Sequence, residues 1–247
     1  MIQSIPFLNK TWTVAHVEKI EDTTDKVRHI WLRTEKVIKF KPGQNISLYL
    51  PISDNEPERK RTYSLANIPN EDGLLEICIS YVDGGKASDF LFNEITIGTE
   101  LKIRGPHGKF TLPKKINKDI VFICMGTAVA PARSMILSIF EQNLYRKKVH
   151  LIFGARTKNG LLCMDEFLQL ATKYGEFKYS FTFSRETDET SKTKRKYVHE
   201  IYLDEYKNPR NDVIFYVSGR PSMIEETVEN LISLGYKSKQ IKYDMNI

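Results

Sequence analysis

The sequence predicts a two-domain β + α/β protein. An antiparallel β-barrel over residues 1–114 is followed by a doubly wound parallel-sheet α/β domain over residues 115–247. Three observations carry this reading. The chain has 247 residues, more than the roughly 100–150 of the commonest domain size. Up to about residue 112, short runs rich in Val, Ile, Tyr and Thr are separated by turn residues, which is the punctuation of β-structure. Beyond Lys114-Lys115, continuous apolar runs alternate with helical stretches, as expected for strands covered on both faces.

In order, the first half offers six strands: TWTVAHV, VRHIWLR, NISLYLP, RTYSLA, LLEICISYV and ELKIRG. Turns at Pro42-Gly43, Pro69-Asn70, Asp72-Gly73 and Asp83-Gly84-Gly85 divide them, and a helix is expected over Ala87–Glu94. The second half reads as strands DIVFICMG, VHLIFGAR, KYSFTFSR and DVIFYVSG. Between them lie helices near Ala130–Leu144, Met164–Lys173, His199–Tyr206 and Ser222–Leu234, and a last strand over Ile241–Ile247 closes the edge. Ligands of such sheets bind beyond the carboxyl ends of the strands. Here those ends carry Met125-Gly126-Thr127, Gly154-Ala155-Arg156, Ser184-Arg185 and Ser218-Gly219-Arg220.

Composition excludes several classes. With 41% hydrophobic and 28% charged residues, the chain is neither disordered nor membrane-embedded. Thirty-seven Lys and Arg against 31 Asp and Glu leave +6, an excess that favours an anionic partner without choosing one. Cys78, Cys124 and Cys163 form no CxxC pair and the five histidines are scattered, so no metal site and no iron–sulfur ligand set are expected within the chain. The sparse cysteines fit a reducing compartment. MIQSIPFLNKTW lacks the features of a signal peptide, and no apolar run approaches the ~20 residues of a membrane span. A soluble, cytoplasmic protein is the expectation. Basic clusters at Arg59-Lys60-Arg61, Lys114-Lys115, Arg146-Lys147-Lys148 and Lys194-Arg195-Lys196 are dispersed and no recognition module accompanies them, which disfavours nucleic acid.

Four loops are suited to anions. In Arg61-Thr62-Tyr63-Ser64, alternation along a strand points Arg61 and Tyr63 to one side, a guanidinium beside a ring. The plain alternative is a cross-strand surface pair. Gly84-Gly85-Lys86-Ala87-Ser88 opens the helix of the first half, where free N–H groups suit a phosphate; equally, it reads as a hairpin turn with Ser88 as helix cap. Gly126-Thr127-Ala128-Val129-Ala130-Pro131 leads from a strand into a helix with Pro131 at its first position, and Ser218-Gly219-Arg220-Pro221 repeats the device. Neither GxGxxG nor GxxxxGK[ST] occurs. Together the loops point to two phosphorylated cofactors meeting between the domains.

RTYS, GGKAS, GPHGKF, MGTAVAP, FGAR and SGRPSM, in this order and spacing, resemble the ferredoxin–NADP reductase superfamily over nearly the whole chain. That superfamily includes the flavodoxin, dioxygenase and cytochrome reductases. The resemblance implies a flavin-binding barrel, FAD rather than FMN, and a nicotinamide-nucleotide domain. It implies that Arg61 binds the flavin pyrophosphate, that Tyr63 stacks on the isoalloxazine and that Ser64 hydrogen-bonds near flavin N5, with Thr62 between them. Gly85, Lys86, Ala87 and Ser88 would hold the flavin phosphates. Gly126 and Thr127 would face the nicotinamide nucleotide, Gly219 and Pro221 would form the second wall of its site, and Ser218 would approach the nicotinamide as a catalytic residue alongside Tyr63 and Ser64. Ser184-Arg185-Glu186 with Arg195-Lys196-Tyr197, and Arg156 on the adjacent strand end, resemble the grip on an adenosine 2′-phosphate, favouring NADP over NAD.

The implied reaction is hydride transfer from nicotinamide to flavin, then single-electron release to a separate acidic carrier: ferredoxin, flavodoxin or an iron–sulfur subunit. A monomer is the superfamily default. Two departures stand out: Ser218 where many members have cysteine, and an ending Tyr243-Asp244-Met245-Asn246-Ile247 without a terminal ring. They motivate an alternative reading, a flavin-holding subunit with a decayed nicotinamide site; a reductase of small diffusible acceptors is a further one.

Overall fold

The computed structural model describes residues 11–142, 147–186 and 197–244. The chain separates into two compact units, residues 1–111 and 112–247.

The first unit is a six-stranded antiparallel sheet. Its strands are β1 (Thr13–Thr24), β2 (Val27–Thr34), β3 (Asn45–Tyr49), β4 (Lys60–Ser64), β5 (Leu74–Ser80) and β6 (Glu100–His107), in the order β4-β3-β6-β1-β2-β5. An antiparallel bridge from Leu65 to Ile77, with the Ala66 N–H donating to the Glu76 carbonyl at 2.8 Å, joins the two edges and closes the barrel. Closure removes the unpaired edges that an open sheet exposes. The period of two puts Ala15, Val17, Ile30, Leu32, Ile46, Leu48, Leu75, Ile77, Leu101 and Ile103 inside. Helix α1 (Lys86–Asn93) adds Phe90 and Leu91 to that core.

The second unit is a five-stranded parallel sheet ordered β11-β10-β7-β8-β9. It contains β7 (Asp119–Met125), β8 (Val149–Ala155), β9 (Phe177–Phe183), β10 (Val213–Ser218) and β11 (Ile241–Asp244). Helices α2 (Val129–Glu141), α3 (Met164–Lys173), α4 (Val198–Glu205) and α5 (Pro221–Ser233) alternate with the strands. One face packs Val121, Ile123, Phe215 and Val217 against Ile201, Tyr202, Ile224 and Leu231 of α4 and α5. Contacts of Phe140 of α2 and Phe167 of α3 with Phe177 belong to the other pair of helices. The connections run away in opposite directions from the neighbouring strands β7 and β10. That is the topological switch point at which ligands of open α/β sheets bind.

Differences from the expected elements are small. α2 begins at Val129, so Pro131 is its third residue rather than its first, still within the turn whose N–H groups lack intrahelical acceptors. α1 begins at Lys86 with Gly85 as its cap, so Ser88 is not the cap. The expected end of α2 at Leu144 and of the last strand at Ile247 lie outside the described residues.

Candidate functional site

In the barrel, β4 carries Arg61, Thr62, Tyr63 and Ser64 opposite Leu48, Ser47, Ile46 and Asn45 of β3. Tyr63 is half-buried and packs against the barrel core. Burial pushes its hydroxyl up to about 12, against the lowering influence of Arg61, so the phenol stays protonated and can donate. Arg61 shares that side of the strand, as alternation requires. Its Nη1 donates to the carbonyls of Glu58 (2.6 Å) and Lys60 (2.9 Å), two bonds from one nitrogen of a group with five donors. Thr62 faces the other way, with its Oγ1 3.3 Å from Ser47 Oγ.

The Gly84-Gly85 turn approaches from the other motif. A Cβ on Gly85 would lie 2.9 Å from Ser88 Oγ and 3.0 Å from Val82, so only glycine permits this turn. Ser88 is buried, and its hydroxyl closes the turn: it accepts from the Val82 N–H at 3.0 Å and lies 2.9–3.0 Å from the carbonyls of Gly85 and Val82. That is a local task, distinct from direct contact with a phosphate. The first intrahelical bond of α1 runs from the Asp89 N–H to the Gly85 carbonyl, so the N–H groups of Lys86, Ala87 and Ser88 precede it and have no acceptor within the helix.

Glu58 lies within electrostatic reach of both motifs. Its carboxylate accepts from Ser53 Oγ (2.8 Å) and Asn55 Nδ2 (3.0 Å), and these bonds hold it below the usual carboxylate range, with smaller contributions from Lys86 and Arg61. Beside it, a cleft of about 660 Å³ runs between Pro51–Asn55, Arg59 and Lys86. An open, polar cleft edged by a guanidinium and an ammonium suits a polyanion. Of the cleft residues, Lys86 was expected from the sequence and Pro51–Asn55 were not; the hydroxyl and amide of Ser53 and Asn55, spaced to meet Glu58, were the available signal.

In the α/β unit, Gly126 opens a 3-10 turn, Gly126–Ala128, ahead of α2. Its φ of +56° favours glycine, and a Cβ there would meet nothing within 4 Å, leaving open space in front of the helix. Thr127 next to it is half-buried. Across the switch point Pro221 is the first residue of α5, behind the cap Arg220. Gly219 is flanked by methionines that the sequence reading left without a role: its Cβ would lie 3.0 Å from Met223 Sδ and 3.2 Å from Met125 Cγ. Ser218 is buried, and its hydroxyl donates to the Ala128 carbonyl at 2.8 Å. It therefore ties the end of β10 to the turn after β7.

Further along, the parallel ladder continues past β8 and β9. The Ser184 N–H donates to Ala155 (3.1 Å) and the Arg185 N–H to Arg156 (2.8 Å), which sets Arg156 and Arg185, both exposed, on neighbouring chain ends. A Cβ on Gly154 would lie 2.9 Å from Val198 Cγ1, so the start of α4 lies over the end of β8. Tyr197, the residue ahead of α4, is 50% exposed and stacks on His199 at 5.5 Å and 10°. Arg156, Ser184, Arg185 and Tyr197 thus gather at one end of the sheet; Arg195 lies outside the described residues. Tyr243 pairs with Val217 on the edge strand β11 and is exposed, and residues 245–247 lie outside the described residues. Cys78 and Cys124 are buried, and the described residues contain no group of three or more His, Cys, Asp or Glu able to hold a metal. No described helix is long and apolar enough to cross a membrane.

Comparison with known proteins agrees with this division. Residues 12–112 match the family described as "Oxidoreductase FAD-binding domain", and residues 122–229 match "Oxidoreductase NAD-binding domain". The chain is 31% identical over 219 residues to the phenol hydroxylase P5 protein of Acinetobacter pittii (88% of this chain, 61% of that protein). It is 33% identical over 203 residues to the xylene/toluene monooxygenase electron transfer component XylA of Pseudomonas putida (81% and 56%). Among solved structures, the Amycolatopsis cytochrome P450 reductase GcoB superposes with a TM-score of 0.84 at 25% identity, covering 94% of this chain and 69% of that one. The chain thus spans about six-tenths of the length of the curated relatives it matches. With one cofactor-domain family matching each structural unit, this chain belongs to the FAD- and NAD-binding oxidoreductases of the ferredoxin–NADP reductase superfamily.

Proposed function

We propose that the chain is a flavin-dependent NAD(P)H oxidoreductase that takes hydride from the nicotinamide and passes single electrons to a separate carrier such as ferredoxin, flavodoxin or an iron–sulfur subunit. In this reading residues 1–114 are the flavin domain and 115–247 the nicotinamide-nucleotide domain. The observation that carries it is the open polar cleft lined by Arg59 and Lys86, within the unit that also presents Arg61 and Tyr63 on one side of β4. FAD fits these residues. Arg61 and Lys86 supply cations for a pyrophosphate, the first N–H groups of α1 add donors, and Tyr63 offers a half-buried ring for a flat heterocycle. The cleft beyond Lys86 has room for a nucleotide, which favours FAD over FMN. When bound, the flavin supplies the exchange between two-electron hydride chemistry and one-electron delivery. The chain's own residues bind and orient: the phenol of Tyr63 stays neutral, Ser64 presents a hydroxyl at the strand end, and Gly126 leaves the helix start of α2 open to a phosphate.

Mixing the flavin-loaded protein anaerobically with NADPH or NADH is expected to bleach the flavin band rapidly. A flavin-holding subunit with a decayed nicotinamide site would keep its colour, and a protein that cannot be loaded with flavin would sink the reading altogether. The grouping of Arg156, Ser184, Arg185 and Tyr197 favours NADPH, since guanidinium forks suit a 2′-phosphate. Arg185→Ala is expected to raise KM for NADPH about tenfold while leaving NADH unchanged. Equal use of both nucleotides by the native protein, unaltered by the substitution, would refute the NADPH preference. The names of the relatives, components of phenol and xylene/toluene oxygenase systems, support a carrier or oxygenase as the electron acceptor. A cytoplasmic location and a monomeric state complete the proposal.

A further inference from the structure

Helix α1, whose first residue Lys86 lines the cleft, is held at its opposite end by one side chain of β2. The Arg28 guanidinium donates from Nη1 to the carbonyls of Phe92 (2.7 Å) and Leu91 (3.1 Å), in the last turn of α1. Carbonyls there run out of intrahelical donors, and a cation at that end complements the helix dipole. The same guanidinium lies 4.7 Å over the Phe92 ring, which in turn meets Tyr81 edge-on at 5.3 Å.

Arg28 is itself anchored. Its Nε and Nη2 donate to the two carboxylate oxygens of Asp22 at 2.6 and 2.8 Å, directly across the β1–β2 ladder. Only 13% of the side chain is exposed, so this pair is shielded from the solvent that weakens surface ion pairs. The four bonds leave three nitrogens of a planar fork, a geometry that lysine does not reproduce. An eight-residue helix needs such help, because isolated helices shorter than ~12–15 residues are marginal in water. Phe90 and Leu91 fix one face of α1 on the barrel core, which leaves its ends to set its direction. At the leading end Lys26 and Asp83 pair at 3.3 Å, but both are well exposed and the pair contributes little.

We propose that Arg28 is a positioning residue for the flavin phosphates, an inference that rests on the flavin reading above. By tying the last turn of α1 to the β1–β2 hairpin, it keeps Lys86 and the first N–H groups of the helix directed at the cleft. The two ends of α1 are only about 10 Å apart at 1.5 Å rise per residue, so a tilt freed at one end reaches the other. Hydrogen bonds from N–H groups weaken steeply with misalignment. A guanidinium that merely stabilised the barrel would affect every flavin alike, whereas one acting through α1 affects only flavins that carry a phosphate.

The test titrates the flavin-free full chain with FAD, FMN and riboflavin, following flavin fluorescence, and compares it with Arg28→Met, which keeps an apolar stem without donors. The dissociation constants for FAD and FMN are expected to rise about tenfold, with that for riboflavin unchanged. Ferricyanide reduction by NADPH or NADH is expected to recover its native kcat once FAD is saturating. Asp22→Ala leaves Arg28 on the helix carbonyls and removes only its anchor. It is expected to show the same order at about threefold, and it serves where Arg28→Met does not fold. Unchanged FAD constants, an equal rise for all three flavins, or a kcat that stays low at saturating FAD would overturn the positioning role. A native chain that binds none of the three flavins would instead refute the flavin reading on which it rests.

Discussion

Ser218 shows how one hydroxyl acquires a function from its neighbours. The sequence places it at a strand end, beside the expected nicotinamide, in a position where many superfamily members carry cysteine. In the fold it is buried and donates to Ala128, whose turn forms the opposite lip of the switch point. Its contribution is therefore to position that turn. Ser218→Ala removes one buried hydrogen bond, worth about 1 kcal/mol. KM for NADPH should rise about fivefold, with kcat nearly unchanged, in steady-state assays. A fall in kcat at constant KM would mean direct contact with the reacting ring. Ser88 followed the same course: its chemistry was legible, but its partners Val82 and Gly85 became visible only once the turn was built.

Strands and helices were largely readable because each half keeps one hydrophobic period. Apolar residues at every second position marked the barrel strands, and unbroken runs such as DIVFICM marked strands buried on both faces. Gly154 illustrates what such patterns hide. It sits in β8 like any small residue of a β–α junction, yet it exists because α4 crosses closely above it, with Val198 Cγ1 and Thr182 Oγ1 at 2.9 and 3.2 Å from the missing Cβ. Gly154→Ala is expected to destabilise the α/β unit by about 1–3 kcal/mol, measured by denaturant unfolding. Val198→Ala in the same chain should recover part of the loss. An additive double variant would show that the two side chains do not compete for that space.

The molecule as a whole carries a built-in acid sensitivity. His150 is buried in the sheet, with Nδ1 2.9 Å from the Tyr206 hydroxyl and Nε2 2.9 Å from Ser180 Oγ, and burial, aided by Lys178, lowers its pKa to about 3. Glu205 at 3.8 Å therefore faces a neutral imidazole. Between the unfolded value near 6.5 and about 3 the unfolded chain binds the extra proton, so stability rises with pH across that window and is lost as pH falls through it, by about 1.4 kcal/mol per unit. Unfolding followed from pH 7 to 5 should show this slope, and His150→Gln should flatten it. An unchanged slope would assign the acid loss to other groups. The fold class and the order of the elements were written in local patterns, because propensity, period and turn chemistry act over a few neighbouring residues. The cleft lined by Arg59 and Lys86 and the hold of Ser218 on Ala128 depend on strand register and on which strands become neighbours. Those contacts join residues tens of positions apart, and their partners are chosen by packing one core rather than by any short segment of chain.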